Sequence, residues 1–119
     1  MCNRFASLRH KPTVRFGRRP YPNATNYETV RVVEVGGNYI EYSVARFRGV
    51  WVCGYSYRIG ADGGRSLPNV RDGWFDNRRN AELYILGDLL DRIQPYGHIR
   101  RALFEKMQSI RQLELDFDV

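Results

Sequence analysis

Three consecutive strand-like segments, separated by very short turns, constrain this chain more than any other feature. They are residues 28–35 (ETVRVVEV), 39–47 (YIEYSVARF) and 50–58 (VWVCGYSYR). Their β-branched and aromatic residues alternate with polar ones, which predicts β-strands. Residues 36–38 (GGN) and 48–49 (RG) lie between them, and turns this short join only antiparallel neighbours. The sequence therefore predicts a three-stranded antiparallel meander.

Two helices are predicted after the strands. Asp76 is the expected N-cap of the first, because apolar residues recur at helical spacing from 77 to 93. These apolar residues are Ala81, Ile85, Leu86, Leu89, Leu90 and Ile93. A second helix is expected over residues 98–113. Its apolar stripe consists of Ile99, Ala102, Leu103, Met107, Ile110 and Leu113. Residues 59–75, which contain four glycines, are expected to form a long loop.

Strands followed by helices predict an α+β fold, with both helices packed on one face of the sheet. The 119 residues fit a single domain, expected over residues 28–113. Residues 1–27 are expected to be an extended or mobile arm, and residues 114–119 a C-terminal tail. No apolar run approaches the roughly 20 residues that cross a membrane. We therefore expect no membrane partner and, since the basic start lacks an apolar signal core, a cytoplasmic location.

The positive charge of the chain is concentrated at its start. The net charge is +6, and residues 1–27 carry six basic residues and no acidic one. They are Arg4, Arg9, Lys11, Arg15, Arg18 and Arg19. The remaining residues balance thirteen basic against thirteen acidic side chains. A basic arm on a neutral body is typical of a polyanion partner, because phosphate contacts release counterions. The alternative is a solubilising tail.

A second basic cluster surrounds the glycine-rich loop and the start of the first helix. It consists of Arg65, Arg71, Arg78 and Arg79. A helix N-terminus adds positive potential, so this cluster is a second candidate anion site. A plain flexible connection is the alternative interpretation of the loop. Arginine outnumbers lysine 17 to 2, which fits contacts with phosphates and bases, although a GC-rich genome gives the same excess.

An aromatic stripe occupies one face of the third predicted strand. Trp51, Cys53, Tyr55 and Tyr57 alternate along it. On an open sheet such aromatic rings can stack on unpaired bases. Burial under the helices is the commoner outcome for a tryptophan-containing face, and we favour it here.

No arrangement typical of an enzyme is present in the sequence. Two cysteines, Cys2 and Cys53, and two histidines are too few and too scattered for a zinc site or a disulfide framework. No nucleophile motif or phosphate-binding fingerprint occurs. We therefore expect no catalytic residue, no metal and no cofactor.

The C-terminal residues 112–117 read QLELDF and fit the pattern Q-L-x-L-x-F. This segment resembles the hexapeptide by which bacterial polymerases, repair proteins and other replication factors bind the sliding clamp. The resemblance implies that Gln112 reaches a polar subsite, while Leu113, Leu115 and Phe117 supply the apolar contacts. The alternative is that Leu113 continues the helix stripe and that the segment packs on the body.

The sequence therefore predicts a small, non-enzymatic protein that associates with DNA or RNA, with the sliding clamp as a second candidate partner. The alternative function is a protein–protein interaction module, or a homodimer, with no role in nucleic-acid binding.

Overall fold

The computed structural model describes residues 8–93 and 97–117, with side chains up to residue 112. Its sheet has four antiparallel strands in the order β1-β2-β3-β4. The strands are β1 (Glu28–Val35), β2 (Asn38–Phe47), β3 (Val50–Ile59) and β4 (Asp62–Ser66), and the helices are α1 (Arg78–Arg92) and α2 (Gly97–Phe117). The predicted α+β class and the two helices packed against the sheet are confirmed.

The prediction of three strands is wrong, because β4 lies in the segment expected to be a loop. Gly60 has φ +61° and starts a two-residue turn, so the meander continues through one more hairpin. The strand reads DGGRS and lacks the β-branched residues that mark a strand in sequence. A Cβ atom on Gly64 would lie 3.1 Å from a ring carbon of Tyr57. The glycine therefore lets the aromatic ring lie close against the strand.

The helices cover the face of the sheet that carries the aromatic stripe. Helix α1 lies over β2 and β3, and α2 lies beside α1 over β1. Tyr57 and Cys53 are buried there, while Trp51 and Tyr55 are partly buried against the same core. The apolar positions predicted for the first helix, from Ala81 to Ile93, are all buried. The stripe therefore belongs to the helix-side core.

The first helix begins one residue later than the sequence predicts. Asn77, not Asp76, is its N-cap, since the Asn77 side chain accepts a hydrogen bond from the Asn80 N–H at 2.8 Å. Both residue types can cap a helix. Asp76 instead lies 2.9 Å from Nε2 of His10, a contact 66 residues away in sequence.

The opposite face of the sheet is covered at one end by irregular chain. Ala45, Val50 and Val52 of the sheet are buried there together with Ala24, Val70 and Trp74. Asn69 is 3% exposed, and its side chain makes three hydrogen bonds. It donates to the Tyr21 carbonyl at 2.9 Å and to Asn23 Oδ1 at 2.8 Å, and accepts from the Arg71 N–H at 2.8 Å. This buried amide joins the N-terminal segment to the chain that follows β4.

The chain reaches that face by crossing β3 at Gly54. A Cβ atom on Gly54 would lie 2.2 Å from the Ser66 carbonyl oxygen and 2.8 Å from the Pro68 nitrogen. The chain then returns to the edge of β3, where Phe75 and Trp51 exchange two backbone hydrogen bonds of 2.9 Å. Only a residue without a side chain permits this crossing.

The segments flanking the domain also have defined structure where they are described. His10 forms a β-bridge with Trp74, and Pro12–Val14 make a short 3-10 turn. Phe16 packs against the buried cluster on the sheet face opposite the helices, which we call the second core, whereas Val14 is 80% exposed. Helix α2 continues to Phe117 and so includes residues 114–117 of the expected tail. Residues 1–7 and 118–119 lie outside the described residues.

We predict that Gly54→Ala lowers the free energy of unfolding by about 2 kcal/mol, because the new methyl group overlaps backbone atoms that no side-chain rotation can move. Urea denaturation measures the change. The matched control is Gly97→Ala, whose Cβ meets nothing within 4 Å. Equal stability of the two variants would contradict the tight crossing.

Candidate functional site

The edge of β3 is interrupted where the chain leaves it and returns. Strand β4 pairs with β3 from Ile59 back to Tyr55, and Phe75 pairs with Trp51. Alternate residues of a strand direct their N–H and C=O groups to the same edge. The backbone of Cys53 therefore faces the gap between these two pairs, and no described residue forms a β-pair with it there.

The gap opens into a cavity of about 380 Å³, which we call the cleft. Four elements supply its walls: the N-terminal segment, the β3–β4 edge, the segment after β4, and α1. The residues that line the cleft include Arg9, Cys53, Tyr55, Arg65, Ser66, Asp72, Tyr84, Asp88 and Arg92. Three of them, Tyr84, Asp88 and Arg92, follow one another at intervals of four residues and so share one face of α1.

Arg9 is held at the cleft by several contacts. Its Nη1 donates to the Tyr84 hydroxyl at 2.5 Å and to the Asp72 carbonyl at 3.3 Å. Its guanidinium carbon lies 5.0 Å from the centroid of the Tyr84 ring. Gly73, with φ +107°, makes room for this side chain, since a Cβ there would lie 2.2 Å from Arg9 Cγ. The N-terminal segment therefore places the cationic side chain of Arg9 at a cavity whose other walls come from the sheet, the segment after β4 and α1.

Arg92 is held in a similar way on the helix side. Its Nε donates to Asp88 Oδ2 at 2.7 Å, and its guanidinium carbon lies 4.6 Å from the centroid of the Tyr55 ring. Arg9 and Arg92 therefore each pack against a tyrosine ring that lines the cleft, an arrangement that favours the cation electrostatically. Burial raises the pKa of Tyr84, so its phenol stays protonated at neutral pH.

A second recess of about 280 Å³ adjoins the cleft. Arg9 and Asp72 line both cavities, and Lys11 and Arg71 line the second. Five residues with cationic side chains thus line the two cavities, against two carboxylates, Asp72 and Asp88. We call the five the basic belt: Arg9, Lys11, Arg65, Arg71 and Arg92.

The belt brings together four of the cations singled out from the sequence, two from each predicted cluster. Arg15 lies elsewhere, with its guanidinium 5.5 Å from the centroid of the Trp74 ring. Arg18 and Arg19 are exposed and outside the lining of both cavities. Arg4 lies outside the described residues.

The two arginines predicted at the start of the helix are also separate from the belt. Arg78 forms ion pairs with Glu28 and Glu82, and so connects β1 to α1. Arg79 is partly buried and its Nη1 lies 3.4 Å from Asn80 Oδ1. Their contacts fit a structural role at the helix start.

Sequence reasoning did not identify Tyr84, Asp88 or Arg92 as site residues. The available signal was their regular spacing along α1, directly beside the apolar stripe. The sequence does not show which residues lie across the cleft from α1. Arg9, which contacts Tyr84 there, is 75 residues away along the chain.

The segment resembling the clamp-binding peptide lies at the end of α2. Gln112 is exposed. The backbone at Leu113, Leu115 and Phe117 is helical, and their side chains lie outside the described part of the chain. The apolar contacts implied by the resemblance remain a prediction.

Cys53 is the cysteine that lines the cleft. Cys53 is 7% exposed, and burial raises the pKa of its thiol well above the usual range, so it remains protonated at neutral pH.

No group of three or more His, Cys, Asp or Glu residues among the described residues could hold a metal ion. No helix in the described ranges is long and apolar enough to cross a membrane.

Comparison of the chain with protein-family models, with curated protein sequences and with solved structures finds no match. The function proposed below therefore rests on the geometry and charge of the cleft.

We predict that Cys53 reacts with a disulfide reagent at least ~100-fold more slowly than a free thiol at pH 8, because it is buried and protonated. Its rate should rise about tenfold per pH unit from about pH 7 to 9 without levelling off, whereas an ordinary thiol levels off above its pKa of about 8.5. Absorbance of the released thiolate, measured on a Cys2→Ser variant, reports this thiol alone. Labelling of the folded protein at the rate of a free thiol, or a rate that levels off near pH 8.5, would contradict a buried thiol with a raised pKa.

Proposed function

We propose that this protein binds nucleic acid through the basic belt and does no chemistry on it. The observation that carries the proposal is the convergence of five cationic side chains around two adjoining cavities, where they outnumber the carboxylates. Arg9 lines both cavities, so the two lie side by side. A chain of phosphates lying along this surface would meet several cations in succession, each replacing condensed counterions.

The two carboxylates that line the cavities beside the belt do not oppose phosphate binding. Asp88 is engaged by Arg92 at 2.7 Å and Asp72 by Arg71 at 3.2 Å. Each ion pair orients its guanidinium within the site, while the unpaired donors of that group stay available for phosphate oxygens.

The alternative, a homodimer joined through the sheet, finds less support. The outer edge of β1 is open, but its ladder with β2 has a bulge at Val32. Glu28, Arg31 and Glu34 also place charges along this strand. Bulges and charges are the means by which natural sheets protect an edge from pairing with another chain.

A sliding clamp is the second candidate partner, favoured by the exposure of Gln112 near the C-terminal end of α2. We expect Gln112→Ala to weaken binding to an immobilised bacterial clamp at least about tenfold in surface plasmon resonance, because it removes the polar anchor. Gln108→Ala, one turn earlier on an exposed position, is the control. Equal binding by both variants would contradict a role for the hexapeptide.

The main proposal is tested by fluorescence anisotropy with labelled single- and double-stranded DNA and RNA over a salt series. We predict that Arg71→Ala weakens binding about tenfold and lowers the slope of log affinity against log salt by about 1, because one phosphate contact is lost. Arg65→Ala should behave in the same way. Salt-independent binding, or no binding at low salt, would contradict the proposal.

Matched controls separate a contact in the belt from a change in overall charge. Arg58→Ala and Arg101→Ala remove the same charge from exposed positions outside both cavities. They should keep the wild-type slope. If these controls weaken binding as much as Arg71→Ala, the binding surface is not the belt.

A further inference from the structure

We infer that the cleft receives one unpaired nucleotide, with its base against the backbone of Cys53 and its phosphate between Arg9 and Arg92. This inference rests on the proposed function and makes it specific. It assigns the protein a preference for single-stranded nucleic acid, and it assigns the cleft, rather than the whole belt, the contact with a base.

The size of the cleft fits this ligand. Its volume of about 380 Å³ lies in the range of roughly 300–1,000 Å³ typical of small-ligand pockets. The bases of a duplex are held inside the stack with their pairing edges occupied. A single-stranded nucleotide can turn its base into the cavity without that cost.

The interrupted strand edge supplies the recognition of the base. The N–H and C=O groups of Cys53 face the cleft in the place where a neighbouring strand would otherwise pair. A buried peptide group without a partner is costly, and a base edge offers both donors and acceptors. A bound base therefore takes the place of the missing strand residue. These are backbone groups, so the recognition does not depend on the cysteine side chain.

The walls supply stacking surfaces and charge. Tyr55 and Tyr84 line the cleft, with the guanidinium groups of Arg92 and Arg9 packed against their rings. Aromatic rings and guanidinium planes are the surfaces on which proteins hold unpaired bases. Arg65 borders the same cavity from strand β4, but it pairs with Ser56, so its side chain leaves the sheet on the face opposite the tyrosine rings.

The nucleotide can come from two sources, a strand or a free nucleoside monophosphate. The second recess beside the cleft, which shares Arg9 with it, favours a strand, because a phosphate next to the bound nucleotide can then meet the rest of the belt.

The first experiment compares three fluorescent ligands of equal phosphate number by anisotropy: a single strand, the same length of abasic strand, and a duplex. The single strand should bind at least about fivefold more tightly than either of the others, since only it offers an unpaired base. Calorimetric titration with the four nucleoside monophosphates and with inorganic phosphate forms the second arm. Monophosphates should bind more weakly than the strand but more tightly than phosphate.

The second experiment fills the cleft without changing its charge. Ser66 lies on the same side of β4 as Gly64, the side on which the tyrosine rings pack, and it lines the cleft. Ser66→Phe should remove the difference between the normal and abasic strands, while the salt-dependent binding of both remains. Ser109→Phe, the same substitution at an exposed position of α2 outside the cleft, should keep the full difference.

The outcomes separate this inference from the proposed function. Equal binding of the normal and abasic strands, with a clear salt dependence, overturns the base-binding cleft and leaves the proposed function standing. Binding of monophosphates but of no strand supports the cleft and overturns the proposed function. The comparison with the abasic strand uses wild-type protein, so it stays decisive even if Ser66→Phe fails to fold.

Discussion

The crossing of the chain over Gly54 is the constraint on which the rest of the structure depends. Because Leu67 and Pro68 pass directly over the backbone of β3, the chain leaves the sheet edge after only five residues of β4. It can then bury Val70 and Trp74 on the second face, which otherwise would expose Val50 and Val52 to water. The same step leaves the gap at Cys53. A single glycine thus both completes the second core and opens the cleft.

The N-terminal segment depends on that crossing as well. His10 pairs with Trp74, Ala24 donates to the Pro68 carbonyl at 3.0 Å, and the buried Asn69 amide connects the two segments. All of these partners lie between the crossing and α1. Arg9 and Lys11 therefore reach the cavities only because the segment after β4 gives the N-terminal residues a surface to bind. Core packing and the assembly of the basic belt are consequences of one arrangement of chain.

Local patterns predicted most of the fold. The alternation of side chains and the short turns between the segments predicted strands β1 to β3. Apolar residues recurring at intervals of three and four predicted both helices. Strand β4 was not predictable from pattern, because DGGRS has no β propensity and is specified by Tyr57 packing close to Gly64. The cleft was less predictable still. Arg9, Arg65 and Arg92 meet through contacts that span most of the chain, and no local rule measures such distances. Only the polar line at 84, 88 and 92 carried a readable signal.

Charge concentration along the sequence and charge convergence in space are different quantities in this protein. Residues 1–27 hold six cations, yet of the five that the structure describes, only Arg9 and Lys11 line the two cavities. The rest of the belt comes from a part of the chain that is neutral overall. In the proposed function, long-range attraction of a polyanion follows from the total charge, whereas the position of its bound phosphates follows from the belt. In the proposed complex, selectivity for an unpaired base falls to the uncharged backbone of Cys53. Affinity and selectivity are thereby assigned to separate groups, and salt should weaken the first far more than the second.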